Sequence, residues 1–203
     1  MSFQPGDVLG FRAYGCLGFW IAAATWLDSP DWLGRGLSHV GYVIDAHDST
    51  GNLLIAEATS LVTEPCYFSG APVKGVQTHL IASRLAGYRG RIWRYPIKHR
   101  LTTAQSRHLT RYVLDHVGDD YDTLGAFRSR CMGFGWIERR LGVENLSSIF
   151  CSEWSAASFR EIGLFATINA SKWNPNAFCR EIYERGTHGK RERVDLAKLR
   201  AAA

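Results

Sequence analysis

Three residues far apart in the chain have the types that could do covalent chemistry together: the cysteine of IFCSEWSAASF (149–159), the histidine of SHVGYVI (38–44) and the glutamate of IAEAT (55–59). A thiol acts as a nucleophile in its thiolate form; it needs a base, and the base needs a group that orients it. Ser147 or Ser148 can cap a helix, which puts Cys151 in the first turn, where free backbone N–H groups and the helix dipole favour the thiolate. Against this stands the packing reading, in which Cys151 is a small hydrophobe beside Phe150 and Trp154, cysteine being among the most buried residue types. His39 opens a strand directly after Ser38, so its ring is held at a strand end. Glu57 follows 18 residues later inside an apolar strand, and an unpaired carboxylate is costly to bury there. If the two strands pair, His39 and Glu57 share one face and the carboxylate orients the imidazole. If they do not, Glu57 faces solvent on a half-buried sheet.

The elements that must position these residues follow from the pattern. GDVLGF (6–11) predicts a strand, and FWIAAATWL (19–27) a helix that stops at Asp28-Ser29-Pro30. SHVGYVID (38–45) alternates Val40, Tyr42 and Ile44 against Gly41, Val43 and Asp45; with the turn-rich AHDSTGN (46–52) and LLIAEAT (53–59) it predicts a β-hairpin with a long loop. GVQTHL (75–80) and RIWRYPI (91–97), the latter closed by Pro96, read as further strands. The period then changes. Thr102 or Thr103 caps a helix with the apolar face Leu109, Tyr112, Val113 and His116 or Val117, stopped by Gly118. WIERRLG (136–142) reads as a short helix, and the Cys151 helix runs through Trp154, Ala157 and Ser158 to Gly163. NPNAFCREIYERG (174–186) has Asn174 as cap, Pro175 at the first helical position and Gly186 as stop. Strands precede helices, an α+β arrangement in one domain, 1–186, followed by a charged, mobile tail, 187–203.

Composition excludes several functions. The 203 residues are 46% hydrophobic and 21% charged, ordinary for a globular protein. The net charge of +5 comes from scattered Lys and Arg, which argues against nucleic acid as partner. Five cysteines, at 16, 66, 131, 151 and 179, show neither a CxxC pair nor zinc-ligand spacing. No disulfide framework, metal or other cofactor is expected, and a reducing compartment is. CLGFWIAAATWL (16–27) falls well short of the roughly 20 residues a membrane span needs. The MSFQPGDVLGF start lacks the basic opening of a signal peptide. Weaker candidates are His47 with Asp45 and Asp48 in the hairpin loop, His79 beside the same cleft or at a sheet edge, and Glu153, which a helix turns away from Cys151. Trp20, Trp26 and Trp32 read as core.

In their order along the chain, GDVL, SHVGYVI, IAEAT, KGVQ, DYD after a helix, FCSEW and a late NP helix resemble the circularly permuted papain-fold proteins of the NlpC-like superfamily, the YiiX-like group, from about residue 6 to 180. The resemblance implies helices packed on a small antiparallel sheet or partial barrel, and a Cys-His dyad with a third polar group: Cys151, His39 and Glu57. Two departures bear on specificity: Trp154 stands where the relatives usually have an aliphatic residue, and SLVTEPCYFSGAPV (60–73) is inserted after Glu57. The function implied is a cysteine peptidase or amidase cleaving amide bonds in peptide, peptidoglycan-type or isopeptide substrates, in the cytoplasm or on a phage particle. Lys74, Gln77 and Arg35 beside the expected cleft suit a carboxylate-bearing peptide. A lipid acyl hydrolase or acyltransferase using the same thiol, and a non-catalytic assembly module of a phage or cell envelope, are the alternatives.

Overall fold

The structure, a computed structural model, describes residues 2–14, 36–59, 62, 64–119, 147–165 (side chains from 151) and 173–197. Among them are six strands and four helices: β1 (Val8–Ala13), β2 (His39–His47), β3 (Leu53–Thr59), β4 (Gly75–Leu80), α1 (Ile81–Gly87), β5 (Gly90–Tyr95), α2 (Thr103–Asp115), α3 (Ser147–Glu161), α4 (Pro175–Glu184) and β6 (Glu192–Arg193). The strands form one antiparallel sheet in the order β4-β3-β2-β1-β5-β6. The fold is therefore α+β. The expected helices FWIAAATWL and WIERRLG, and the DYD segment, lie outside the described residues.

The β2–β3 hairpin forms with Gly41 opposite Glu57 and Tyr42 opposite Ala56. Its loop is shorter than the turn-rich sequence suggests. β2 continues to His47 through a register shift after Ile44, and the Asp48 side chain accepts the backbone N–H groups of Thr50 and Asn52, which closes the turn locally. The hairpin also departs from a half-buried pattern, because both of its faces are covered. Val40, Tyr42 and Ile44 join Leu54, Ala56, Ala58 and Val76 in the larger core, with Leu109 and Val113 of α2 and Trp154, Ala157 and Phe159 of α3. Val43 and Ile55 face the other way and pack with Leu9, Phe11 and Ile92, beneath Ile81 and Leu85 of α1. A two-sided sheet has little room for exposed polar side chains in its interior strands, so a carboxylate there must find partners within the protein.

The helix ends follow the expected chemistry. Thr102 caps α2 in a reciprocal box with Gln105, and Asn174 accepts the N–H groups of Asn176 and Ala177 ahead of α4, with Pro175 in its first turn. Gly118 and Gly186, both at positive φ, follow the last turns of α2 and α4. No described helix is long and apolar enough to cross a membrane.

The segment from 187, expected as a mobile tail, is part of the fold as far as residue 197. His188 bridges to Ile97, β6 pairs with β5, and Val194 is buried in the α1-side core. Average charge misleads here because anchoring takes only a few residues. His188 is fully buried, donates from Nε2 to the Gly6 carbonyl at 2.9 Å, and stacks on Phe159 at 5.7 Å.

Burial pushes the His188 pKa down to about 4, against the Gly6 hydrogen bond, which favours the charged ring. The unfolded chain, with an ordinary histidine near 6.5, binds the proton first. Stability contributed by neutral His188 is thus complete above about pH 6.5 and is lost as pH falls toward 4, by up to about 3 kcal/mol. Urea midpoints measured across that window are expected to fall less steeply for His188→Gln than for the parent chain.

Candidate active site

The chain enters β2 under tight control. Ser38 donates to the Phe11 carbonyl from its backbone N (2.8 Å) and its hydroxyl (3.2 Å), and its Oγ accepts the Ala13 N–H at 3.1 Å. One residue earlier, buried Asn176 of α4 brackets Leu37: its Oδ1 accepts the Leu37 N–H at 2.8 Å and its Nδ2 donates to the Leu37 carbonyl at 3.4 Å. His39 follows as the first residue of β2, its ring 5.5 Å from that of Phe11. A Cβ on Gly41 would come within 2.9 Å of the Ala56 carbonyl and 3.3 Å of Glu57 Cβ, so glycine there lets β3 bring Glu57 close.

Residues opposite each other in an antiparallel pair share a face, so Glu57, opposite Gly41, lies on the same face as His39. His39 Nε2 is 2.7 Å from Glu57 Oε2. Arg84 of α1 binds the carboxylate with two nitrogens, Nε donating to Oε1 and Nη2 to Oε2 at 3.1 Å. Burial alone would raise the Glu57 carboxyl, but the Arg84 charge and then the His39 hydrogen bond outweigh it and hold the group well below the usual carboxylate range. Glu57 is therefore an anion at any pH near neutral.

For His39, burial works against the charged ring and is outweighed first by the charge and hydrogen bond of the Cys151 thiol group and then by Glu57, which lifts its pKa to about 9. With Nε2 occupied by Glu57, Nδ1 is the nitrogen left for the sulfur. Cys151, His39 and Glu57 thus form one line: thiol, imidazole, carboxylate. Such a line can carry a proton from sulfur to nitrogen and keep the resulting cation in place.

The helix places Cys151 differently from the sequence reading. α3 begins at Ser147, so Cys151 is its fifth residue and its N–H falls in the helical ladder instead of the free first turn. The titratable group beside the sulfur is His39, and the helix end lies a turn away. Cys151 is also fully buried in the larger core, beside Trp154 as the packing reading has it.

The other candidates have local roles. His79 lies on edge strand β4, buried, with Nε2 2.9 Å from Gln77 Oε1 and 3.9 Å from Glu57 Oε1; burial lowers its pKa despite Glu57 and Glu64. Gln77 is therefore engaged by His79 and buried, while Lys74 is exposed. Exposed His47 sits 3.9 Å from Asp45, and Asp48 is taken up by its own turn. Glu153 is half-buried. Arg35, Trp20, Trp26 and Trp32 lie outside the described residues. Among the described residues no group of three His, Cys, Asp or Glu side chains is placed to hold a metal. Two residues of the site escaped sequence reasoning, Arg84 and Asn176. The need of a buried carboxylate for a cation was a usable signal for an arginine, though not for which one. In the inserted segment, Cys66 is buried against β4; Thr78 N–H donates to its sulfur at 3.4 Å, and such bonds outweigh burial to lower its pKa.

No protein-family model matches the chain, and no curated protein matches it in sequence. Among solved structures it is similar to the metalloprotein YiiX (DUF1105) of Escherichia coli O157:H7, with a TM-score of 0.51 and 16% identity over 100% of this chain and 94% of that one. At that identity the likeness is one of fold.

Asn176→Ala strips the bracket from the residue pair leading to His39 and leaves the buried Leu37 N–H without its acceptor. The expected cost is about 2–3 kcal/mol in urea unfolding. Asn176→Asp keeps the acceptor but sets a buried carboxylate oxygen against the Leu37 carbonyl, and is expected to cost no less.

Proposed function

We propose that this chain is a thiol hydrolase of the permuted papain type that cleaves amide bonds in peptide or peptidoglycan-like substrates. The observation that carries the reading is the buried Cys151 thiol meeting an imidazole whose other nitrogen is held by an ionised Glu57. In the proposed reaction the Cys151 sulfur, its proton already held on His39 Nδ1, attacks the carbonyl carbon. The C–N bond then breaks as His39 returns the proton to the leaving amine, and a thioester remains on Cys151. Water, deprotonated by His39, attacks that thioester; the acid leaves and the thiol is restored. Glu57 keeps Nε2–H in place and stabilises the imidazolium. No step uses a metal. Since the Cys151 N–H lies within the helix, donors for the oxyanion come from elsewhere than that N–H.

A lipid acyl substrate is the second reading, supported by Tyr67 and Phe68 of the inserted segment, which are exposed and in edge-to-face contact. The test offers purified protein muropeptide-like peptides and, separately, phospholipids and acyl thioesters, with Cys151→Ala as control. Cysteine-dependent release of amine is expected from the peptides, and His39→Ala is expected to lower it by about 10²–10⁴-fold. Cysteine-dependent turnover of lipids alone would replace the amidase reading; turnover of neither would point to an assembly module.

Alkylation with iodoacetamide and peptide mapping gives a check that needs no substrate. Cys151 is expected to react faster than Cys179, whose thiol burial pushes far up. His39→Ala is expected to slow Cys151 while leaving the rate at Cys66 unchanged.

A further inference from the structure

Arg84 is the residue on which the anionic end of this site turns. Its surroundings single it out. It reaches both oxygens of Glu57, and its guanidinium lies 5.4 Å from the centre of the Phe11 ring and 5.6 Å from that of Tyr88. Its side chain is only 10% exposed. It rides on α1, a seven-residue helix fastened to the sheet by buried Ile81 and Leu85. Phe11 also borders His39, so one aromatic ring supports both cation-bearing groups.

We propose that Arg84 is a positioning residue of the site: by gripping both oxygens of Glu57 it fixes the carboxylate against His39 Nε2 and sets the lower pH bound of the Cys151–His39 ion pair. This rests on the thiol–imidazole reading above and deepens it. The grip is of the planar, two-nitrogen kind that lysine cannot reproduce. The charged or titratable groups facing the guanidinium are Glu57 of β3, Glu64 of the segment before β4, His79 of β4 and Tyr88 after α1. Removing a positive charge from such a cluster raises the proton affinity of every group it faced. Glu57, buried and relieved of its strongest support, then takes up a proton in mild acid, and His39 loses the partner that keeps it an imidazolium.

The measurement is the pH dependence of Cys151 alkylation by iodoacetamide, followed by peptide mapping. The acid midpoint is expected to move up by about 1–2 units in Arg84→Met, and by less in Arg84→Lys, which keeps the charge. In Glu57→Gln the further change Arg84→Met is expected to move the midpoint no more, because Arg84 acts through Glu57. Circular dichroism and urea unfolding report whether each variant folds. Arg84→Gln, neutral but still a donor, is read in parallel so that misfolding of one variant does not decide the matter. A folded neutral variant with lowered stability but an unmoved midpoint would overturn the role of Arg84 alone. A parent protein whose Cys151 alkylates with an ordinary thiol midpoint and no dependence on His39 would overturn the ion pair, and Arg84's role with it.

Discussion

A carboxylate buried inside a sheet that is covered on both faces is the constraint around which the rest of this molecule is arranged. Glu57 is 1% exposed, so its charge must be met from within. The protein supplies two cations: His39 from the neighbouring strand and Arg84 from α1. That requirement explains the order of elements on this face. β4 leads straight into α1, which folds back over the sheet with Ile81 and Leu85 as anchors and delivers Arg84 to the strand that bears Glu57. Gly41 clears the approach. Each feature is small, but all serve the neutralisation of one buried anion.

The same arrangement gives the thiol its surroundings. α3 belongs to the opposite layer, packed with Val40, Tyr42 and Ile44, whereas Glu57 points to the α1 side. A side chain in the middle of β2 serves only one layer. His39 stands at the first position of β2, and meets Glu57 through one nitrogen while facing Cys151 from the helical layer. The ends of strands are where two layers come within reach of a single ring. This is why the control of the chain just ahead of β2, by Ser38 and by the distant Asn176, matters more to the site than anything within the strand.

How much of this could be read from the sequence depended on the range of the interaction. The His39–Glu57 pairing was legible because a short hairpin with a period of two assigns faces, and the parity of 18 residues survived even though the loop proved shorter and β2 longer than expected. The α+β layout and the caps at Thr102 and Asn174 were legible for the same local reason. The partnership of His39 with Cys151 came from a resemblance, because no periodicity reports which helix covers which strand end. Arg84 was missed because IASRLAG is a two-turn segment in which a lone arginine reads as a solvent-facing residue. The serines at 147 and 148 looked like caps but are the opening helical residues, which carries Cys151 out of the first turn. Past residue 186, charge concealed His188 and Val194, because composition averages over residues while packing is decided by single ones.

The burial of Cys151 changes what the site must do. A sulfur with no accessible surface is surrounded by protein groups instead of water, so in the proposed reaction any charge it takes on is met by His39 and, through it, by Glu57. Low dielectric also strengthens the reach of Arg84 across the carboxylate, although the guanidinium never needs to touch the sulfur. The imidazole, carboxylate and guanidinium therefore form a row of plus, minus, plus, in which neighbours attract and each member makes the next less costly to bury, with the Cys151 thiol beside the imidazole. Losing the carboxylate from the middle of that row would leave two like charges, His39 and Arg84, facing one another inside the protein.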